Sequence, residues 1–170
     1  VCCGAFALEV QRVYPDIPRG RRRLAQALKM AETPQQSQAH AKLEERWSKL
    51  GFEALSHPEQ EAIALFWLEG EVMNGGLHQF FANSCGDLSS LVLSGLARLG
   101  AKQTLAQFES AISKLGAGLY LHDRQVRLAH LERLPPDAFD AETVALQAYP
   151  EPSFRLALAD LAIYYSASHD

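Results

Sequence analysis

The sequence predicts an all-α fold, and three observations carry that expectation. Apolar residues recur at three- and four-residue spacing in nearly every stretch after residue 38. No stretch alternates apolar and polar residues as a half-buried strand would. Glycines or prolines close the periodic stretches one after another. The chain has 170 residues, enough for one domain with a substantial core, and no internal repeat points to a solenoid. Its hydrophobic fraction of 48% and charged fraction of 21% are those of a folded chain rather than a disordered one. No apolar run approaches the roughly 20 residues that cross a bilayer, so no membrane span is expected.

Read in order, residues 1–36 form a basic N-terminal appendage and linker, and residues 37–170 form the helical domain. Pro15 and Pro18 interrupt the appendage, Arg19, Arg21, Arg22 and Arg23 make it basic, and Leu24, Ala27 and Leu28 give it a short helical pattern. Thr33 to Gln38 reads as a polar linker. Ala39 to Leu50 reads as a charged amphipathic helix with Leu43, Trp47 and Leu50 on one face, ended by Gly51. Ser56 is an N-cap, with Pro58 and Glu59 in the first turn of a helix reaching Met73. That helix is apolar on most sides and is expected at the centre of the fold.

Asn74-Gly75-Gly76 breaks the central helix, since both glycines readily take positive φ. A short helix follows to Ser84, with Leu77, Phe80 and Phe81 inward, and Cys85-Gly86-Asp87 turns the chain again. Leu88 to Leu99 and Leu105 to Leu115 form two further helices, closed by Gly100 and Gly116. The remaining helices are expected from about Leu121 to Arg133, from Asp137 to Ala148 and from Phe154 to Tyr165. The expectation is about seven or eight helices around a helix–Asn-Gly-Gly corner–helix.

The net charge of −4, from 16 basic and 20 acidic residues, is mild, but it is unevenly spread. Through Lys49 there are nine Lys and Arg against five acids. Leu50 to Ala97 contains no Lys or Arg and six acids, and Leu134 onward contains six acids with Arg155 alone among bases. A charge asymmetry of this kind steers a charged partner. The carboxylates expected on such a surface are Glu53, Glu59, Glu61, Glu69, Asp87, Asp137, Asp140 and Glu142. The three cysteines are odd in number, and the adjacent Cys2 and Cys3 are poorly placed to bridge each other. The reading is a reduced, cytoplasmic protein.

The corner holds the densest polar chemistry, yet it lacks the pattern of a reaction centre. Glu69 and Glu71 lie about 200° apart around a helix, which does not make an acid–base pair. His78, Cys85 and Asp87 have neither an HExxH nor a CxxC frame, so no metal and no cofactor are expected. Cys85 with His78 lacks a third, orienting group, so no catalytic residue is assigned. Glu71 is expected to accept backbone N–H groups around Asn74 to Leu77. Gln79 and Asn83 are one turn apart on one face. The amides of Asn74, Gln79 and Asn83 fit two roles: locking the corner, or lining a groove together with His78.

Glu71, Asn74, Gly75, Gly76, Gln79, Phe80, Phe81, Asn83, Ser84 and Gly86 together form a pattern that resembles the signature of the bacterial DNA-mimic protein family, in its C-terminal domain. Leu55-Ser56, Trp67 and Leu99-Gly100-Ala101 are also similar, and the resemblance spans roughly Lys42 to Tyr165. Met73 and Leu77 depart from it, standing where the family often has a second Asn and an aromatic. The resemblance implies an all-helical, non-enzymatic protein-interaction domain. In the founding type, a dimer whose acidic surface imitates DNA phosphates occupies a DNA-binding transcription regulator. It implies a protein partner of that kind, a homodimer, and no direct contact with nucleic acid. The other reading is a small-ligand-binding or enzymatic domain with a pocket beside the Asn-Gly-Gly motif.

Overall fold

The computed structural model describes residues 32–116, 122–148 and 153–167. The arginine cluster, Cys2, Cys3 and the turn at Pro150-Glu151-Pro152 lie outside these residues. Seven α-helices are found among the described residues: α1 Pro34–Leu50, α2 His57–Ala82, α3 Ser89–Leu99, α4 Lys102–Leu115, α5 Arg124–Leu131, α6 Asp140–Ala148 and α7 Ser153–Ala167. Two 3-10 turns, Phe52–Ala54 and Ser84–Leu88, join α1 to α2 and α2 to α3. No strand occurs among the described residues. Helix α2 is the hub: α3, α5, α6 and α7 pack around it, while α1 lies along α7.

The stretch from Thr33 to Gln38, expected as a linker, is instead the start of α1. Thr33 caps the helix, its hydroxyl accepting the Gln36 N–H at 3.2 Å while the Gln36 side chain accepts the Thr33 N–H at 2.8 Å. Pro34 occupies the first turn, where its missing N–H costs nothing. Polar composition suggested a linker, but the reciprocal cap overrides it. The buried stripe of α1 is Ala39, Leu43 and Trp47; Leu50 is half exposed, because Gly51 at φ 78° ends the helix there.

The core justifies placing α2 at the centre. Ala62, Ile63, Ala64 and Leu65 are all fully buried, so every side of the helix is covered along this turn. Beyond the corner, Phe80 and Phe81 meet Phe108 of α4 at ring-centroid distances of 5.6 and 5.7 Å, and Phe139 lies 5.4 Å from Phe81. These edge and offset contacts tie α4 and the start of α6 onto the second half of α2.

Burying an ionised carboxylate without partners is costly, and α2 buries three, with a fourth half-buried. Glu71 is met by side chains from the far end of its own helix, the other three by donors from other parts of the fold. Glu59 accepts from Arg46 of α1 at 2.5 Å, from the Tyr165 hydroxyl of α7 at 2.7 Å, and from both the N–H and the hydroxyl of Ser56. Glu61 accepts from Arg98 of α3 at 2.6 Å. Glu69 caps α7, accepting the Ser153 hydroxyl and the Phe154 N–H, each at 2.8 Å. Outside α2, the buried Glu142 accepts from Ser110 and Lys114 of α4, each at 2.8 Å.

These pairs predict how stability responds to acid. At Glu59 burial raises the carboxyl pKa, but hydrogen bonds from Arg46, Tyr165 and Ser56 outweigh it and hold the group below 4.5. At Glu142 burial is likewise outweighed, by Lys114 and Ser110. A lowered folded-state pKa means that the unfolded chain binds protons first. Both contributions are therefore complete above pH 4.5 and are lost as the pH falls through the lowered values. Glu69 runs the other way: burial pushes its carboxyl up despite the Phe154 and Ser153 donors, so its ionisation opposes folding as the pH rises above 4.5. Urea unfolding followed from pH 7 to pH 3 should show falling stability in the wild type. The decline should be shallower in a Glu59→Gln chain, and an equally steep decline would refute the assignment.

Candidate functional site

The corner is built from backbone geometry outward. Helix α2 is continuous except at Gly75, φ −153° and ψ 16°, and Gly76, φ 78° and ψ −175°. Of the two glycines Gly76 takes the positive φ expected of both; Gly75 keeps a negative φ with ψ near zero. The Gly76 conformation is one that side chains essentially never adopt, and a Cβ there would sit 2.9 Å from Thr143 Cγ2. The Leu77 N–H, freed by the break, donates to Thr143 Oγ1 at 3.1 Å. Gln147 of α6 donates to the Val72 carbonyl at 2.9 Å, so α6 runs along the corner. A Gly76→Ala chain should lose about 2–4 kcal/mol in urea unfolding, from backbone strain and the Thr143 clash together.

Glu71 is buried, but its donors differ from those expected. The backbone N–H of Leu77 goes to Thr143, and Glu71 Oε2 instead accepts the side-chain amides of Gln79 at 2.5 Å and Asn83 at 2.9 Å. The two amides share a face one turn apart, and the break lets that face fold back over the preceding turn. Cys85 Sγ lies 3.9 Å from Glu71 Oε1. Burial, then the Glu71 charge, push the Cys85 thiol far above its ordinary value, so it is held as the inert thiol. Gly75 belongs to the same arrangement, since a Cβ on it would collide with the Gln79 amide.

The second half of the motif is held by two residues that sequence reasoning missed. Helix α2 ends with unpaired carbonyls, and α5 supplies arginines to them. Arg127 is fully buried; its Nε donates to the Phe81 carbonyl at 3.0 Å and its Nη2 to the Asn83 carbonyl at 3.1 Å. The same nitrogen lies 2.6 Å from Asp87 Oδ1. Arg124 donates to the Ala82 carbonyl at 3.0 Å. The guanidinium positive charge also faces the negative end of the helix dipole. Gly86 is required because a Cβ there would sit 2.6 Å from Arg127 Nε. The available signal was Arg127 falling in line with Leu131, one turn away on the buried stripe of α5.

The remaining motif residues separate by exposure. Phe80 and Phe81 are core; Ser84 is half buried; Asn74, Gly75 and His78 face outward. His78 has its ring 6.5 Å from that of Phe139. Gln79 and Asn83, which would touch a ligand in a groove, are engaged with Glu71. An open groove of about 610 Å³ lies elsewhere, between α1 and α7, with Ala39, Lys42, Ala159 and Ile163 among its walls. Among the described residues no group of three or more His, Cys, Asp or Glu side chains converges as metal ligands do.

The acidic surface is smaller than the linear charge pattern implied. Of the eight carboxylates expected on it, Glu59, Glu61 and Glu142 are buried and ion-paired. Glu69 is half-buried and occupied at the cap of α7. Asp87 is exposed but joined to Arg127. Glu53, Asp137 and Asp140 remain exposed. The window without bases in the sequence is not base-free in space, because Arg46, Arg98 and Arg127 reach into it from α1, α3 and α5.

Fold and corner together define a small all-α domain organised around a hydrogen-bonded Asn-Gly-Gly break in its central helix. The chain belongs to the DMP19-like protein family, DNA mimic protein 19, whose family model matches residues 53–168. No curated protein and no solved structure matches it.

Proposed function

We propose that this chain is a non-enzymatic interaction domain that binds a DNA-binding protein, of the transcription-regulator kind, by presenting carboxylates where that partner expects phosphates. Membership of the DNA-mimic family is the observation that carries the reading. Phosphate contacts supply much of the affinity of DNA-binding proteins, so a mimic needs carboxylates free to meet Lys and Arg. Glu53, Asp137 and Asp140 meet that requirement; the buried Glu59, Glu61 and Glu142 do not. The pocket reading is the less supported one, since the Gln79 and Asn83 amides already donate to Glu71. No helix among the described residues is long and apolar enough to cross a membrane. The cytoplasmic setting, the homodimer and a basic appendage preceding α1 belong to the same proposal.

The test is affinity capture from the native cell at low and high salt, with duplex DNA as competitor. The expected catch is a DNA-binding protein retained at low salt, released at high salt and displaced by the duplex. Reversal of Glu53, Asp137 and Asp140 to Lys should abolish it. Capture that ignores both duplex DNA and the triple reversal would overturn mimicry.

A further inference from the structure

Asn74 and His78 take no part in the hydrogen bonds that hold the corner. Both are exposed, and neither makes a side-chain hydrogen bond or ion pair among the described residues. They border the seam where α6 runs along the corner, with Phe139 beside His78, Thr143 against Gly76 and Leu77, and Gln147 on Val72. Next to these contacts in the chain stand two exposed large apolar residues, one on each helix: Met73, 55% exposed, follows Val72, and Val144, 61% exposed, follows Thr143. Asp140 lies one turn before Val144 on the same side of α6, and Asp137 just precedes it. Neither carboxylate has a cationic partner among the described residues, unlike Glu59, Glu61 and Glu142.

We propose that this seam is the docking surface for a cationic, amphipathic segment of the protein partner. Met73 and Val144 take its apolar side chain, Asp137 and Asp140 pair with its Lys or Arg, and Asn74 and His78 supply polar contacts at the edge. The inference rests on the DNA-mimic reading for the partner's positive charge. It goes beyond that reading in locating the site and in requiring an apolar anchor, which an imitation of phosphates alone does not need. Charge complementarity selects this occupant, because unpaired carboxylates beside an apolar patch disfavour an acidic or purely apolar partner. A central apolar contact with a charged rim is the usual arrangement of binding energy at protein interfaces.

The full chain, isotopically labelled, is titrated with a synthetic Leu/Lys helical peptide while its amide NMR spectrum is followed. Controls are a Lys-only peptide and a Leu/Glu peptide. Shifts should concentrate at Met73, Asn74, His78, Asp140 and Val144. The pairs Met73→Ser with Val144→Ser, and Asp137→Asn with Asp140→Asn, should each weaken binding about tenfold with an unchanged unfolding midpoint. Shifts at the α1–α7 groove or spread over the surface would overturn the proposal. So would equal binding of the Lys-only peptide, or concentration-dependent shifts at the seam without peptide, which would mean that a second copy covers it. The two readings separate cleanly. Capture of a DNA-displaceable partner that survives Met73→Ser with Val144→Ser removes the docking surface and leaves mimicry. Peptide binding at the seam with no such partner removes mimicry and leaves the docking surface.

Discussion

Replacing Arg127 by Ala is expected to cost about 3–5 kcal/mol, the largest effect of any single substitution proposed for this protein. The guanidinium is fully buried, donates to the carbonyls of Phe81 and Asn83 and pairs with the carboxylate of Asp87. Removing it takes the Arg127 donors from the Phe81 and Asn83 carbonyls, leaving the Asn83 oxygen only the Gly86 N–H at 3.1 Å, and opens a cavity beside Gly86. Whole-domain stabilities are about 5–15 kcal/mol, so the variant should lie near the edge of folding at room temperature. Arg127→Lys should lose less but still be clearly destabilised, because an ammonium is a point charge and cannot span the same acceptors with a planar fork. Urea midpoints of the three chains check this ordering. A loss under about 1 kcal/mol in the Ala variant would show that the arginine is not the clamp described.

Glu71→Ala is expected to cost about 3–4 kcal/mol, through two charge-assisted hydrogen bonds lost together and two amides left to find other partners. Because Gln79 and Asn83 act through the same oxygen, their effects should not add to that of Glu71. Double-mutant cycles of Glu71→Ala with Gln79→Ala or Asn83→Ala should give coupling of about 1–2 kcal/mol each, read from urea unfolding. Independent, additive losses would show that the three side chains are not one network. Glu71→Gln is the informative conservative change: its amide oxygen can still accept from Gln79 and Asn83, but the charge is lost and an NH2 replaces Oε1 beside Cys85, so it should still cost about 1–2 kcal/mol.

Arg127 and Glu71 are held by contacts of very different reach along the chain, and that reach separates what is legible in the sequence from what is not. Helix stops at Gly51, Gly100 and Gly116 were legible because a positive φ is a local demand that glycine meets. Ser56 with Glu59 was legible as a helix start for the same reason, since the partners are three residues apart. The start of α1 was misjudged because Thr33 and Gln36 read as polar filler unless their reciprocal bonds are considered. Glu71 was correctly read as an acceptor, but its donors were sought in the adjacent backbone. They come from side chains 8 and 12 residues on, brought back by the break at Gly75-Gly76. Arg127 was missed because its partners lie 44 and 46 residues away.

The sequence by itself determined the all-α class, the central helix, the position of its break and the family. Each of these rests on periodicity, on glycine, or on a motif contained within a few turns of chain. Only the tertiary structure decided what the carboxylates do. Glu59, Glu61 and Glu142 meet Arg46, Arg98 and Lys114 across separations of 13, 37 and 28 residues. A charge count along the chain sees six acids without a base, whereas the fold brings bases in from other helices and buries the carboxylates beneath partly exposed Arg46, Arg98 and Lys114. The physical reason is that the electrostatic partner of a buried charge is set by packing distance, and packing distance is not a property of sequence neighbours.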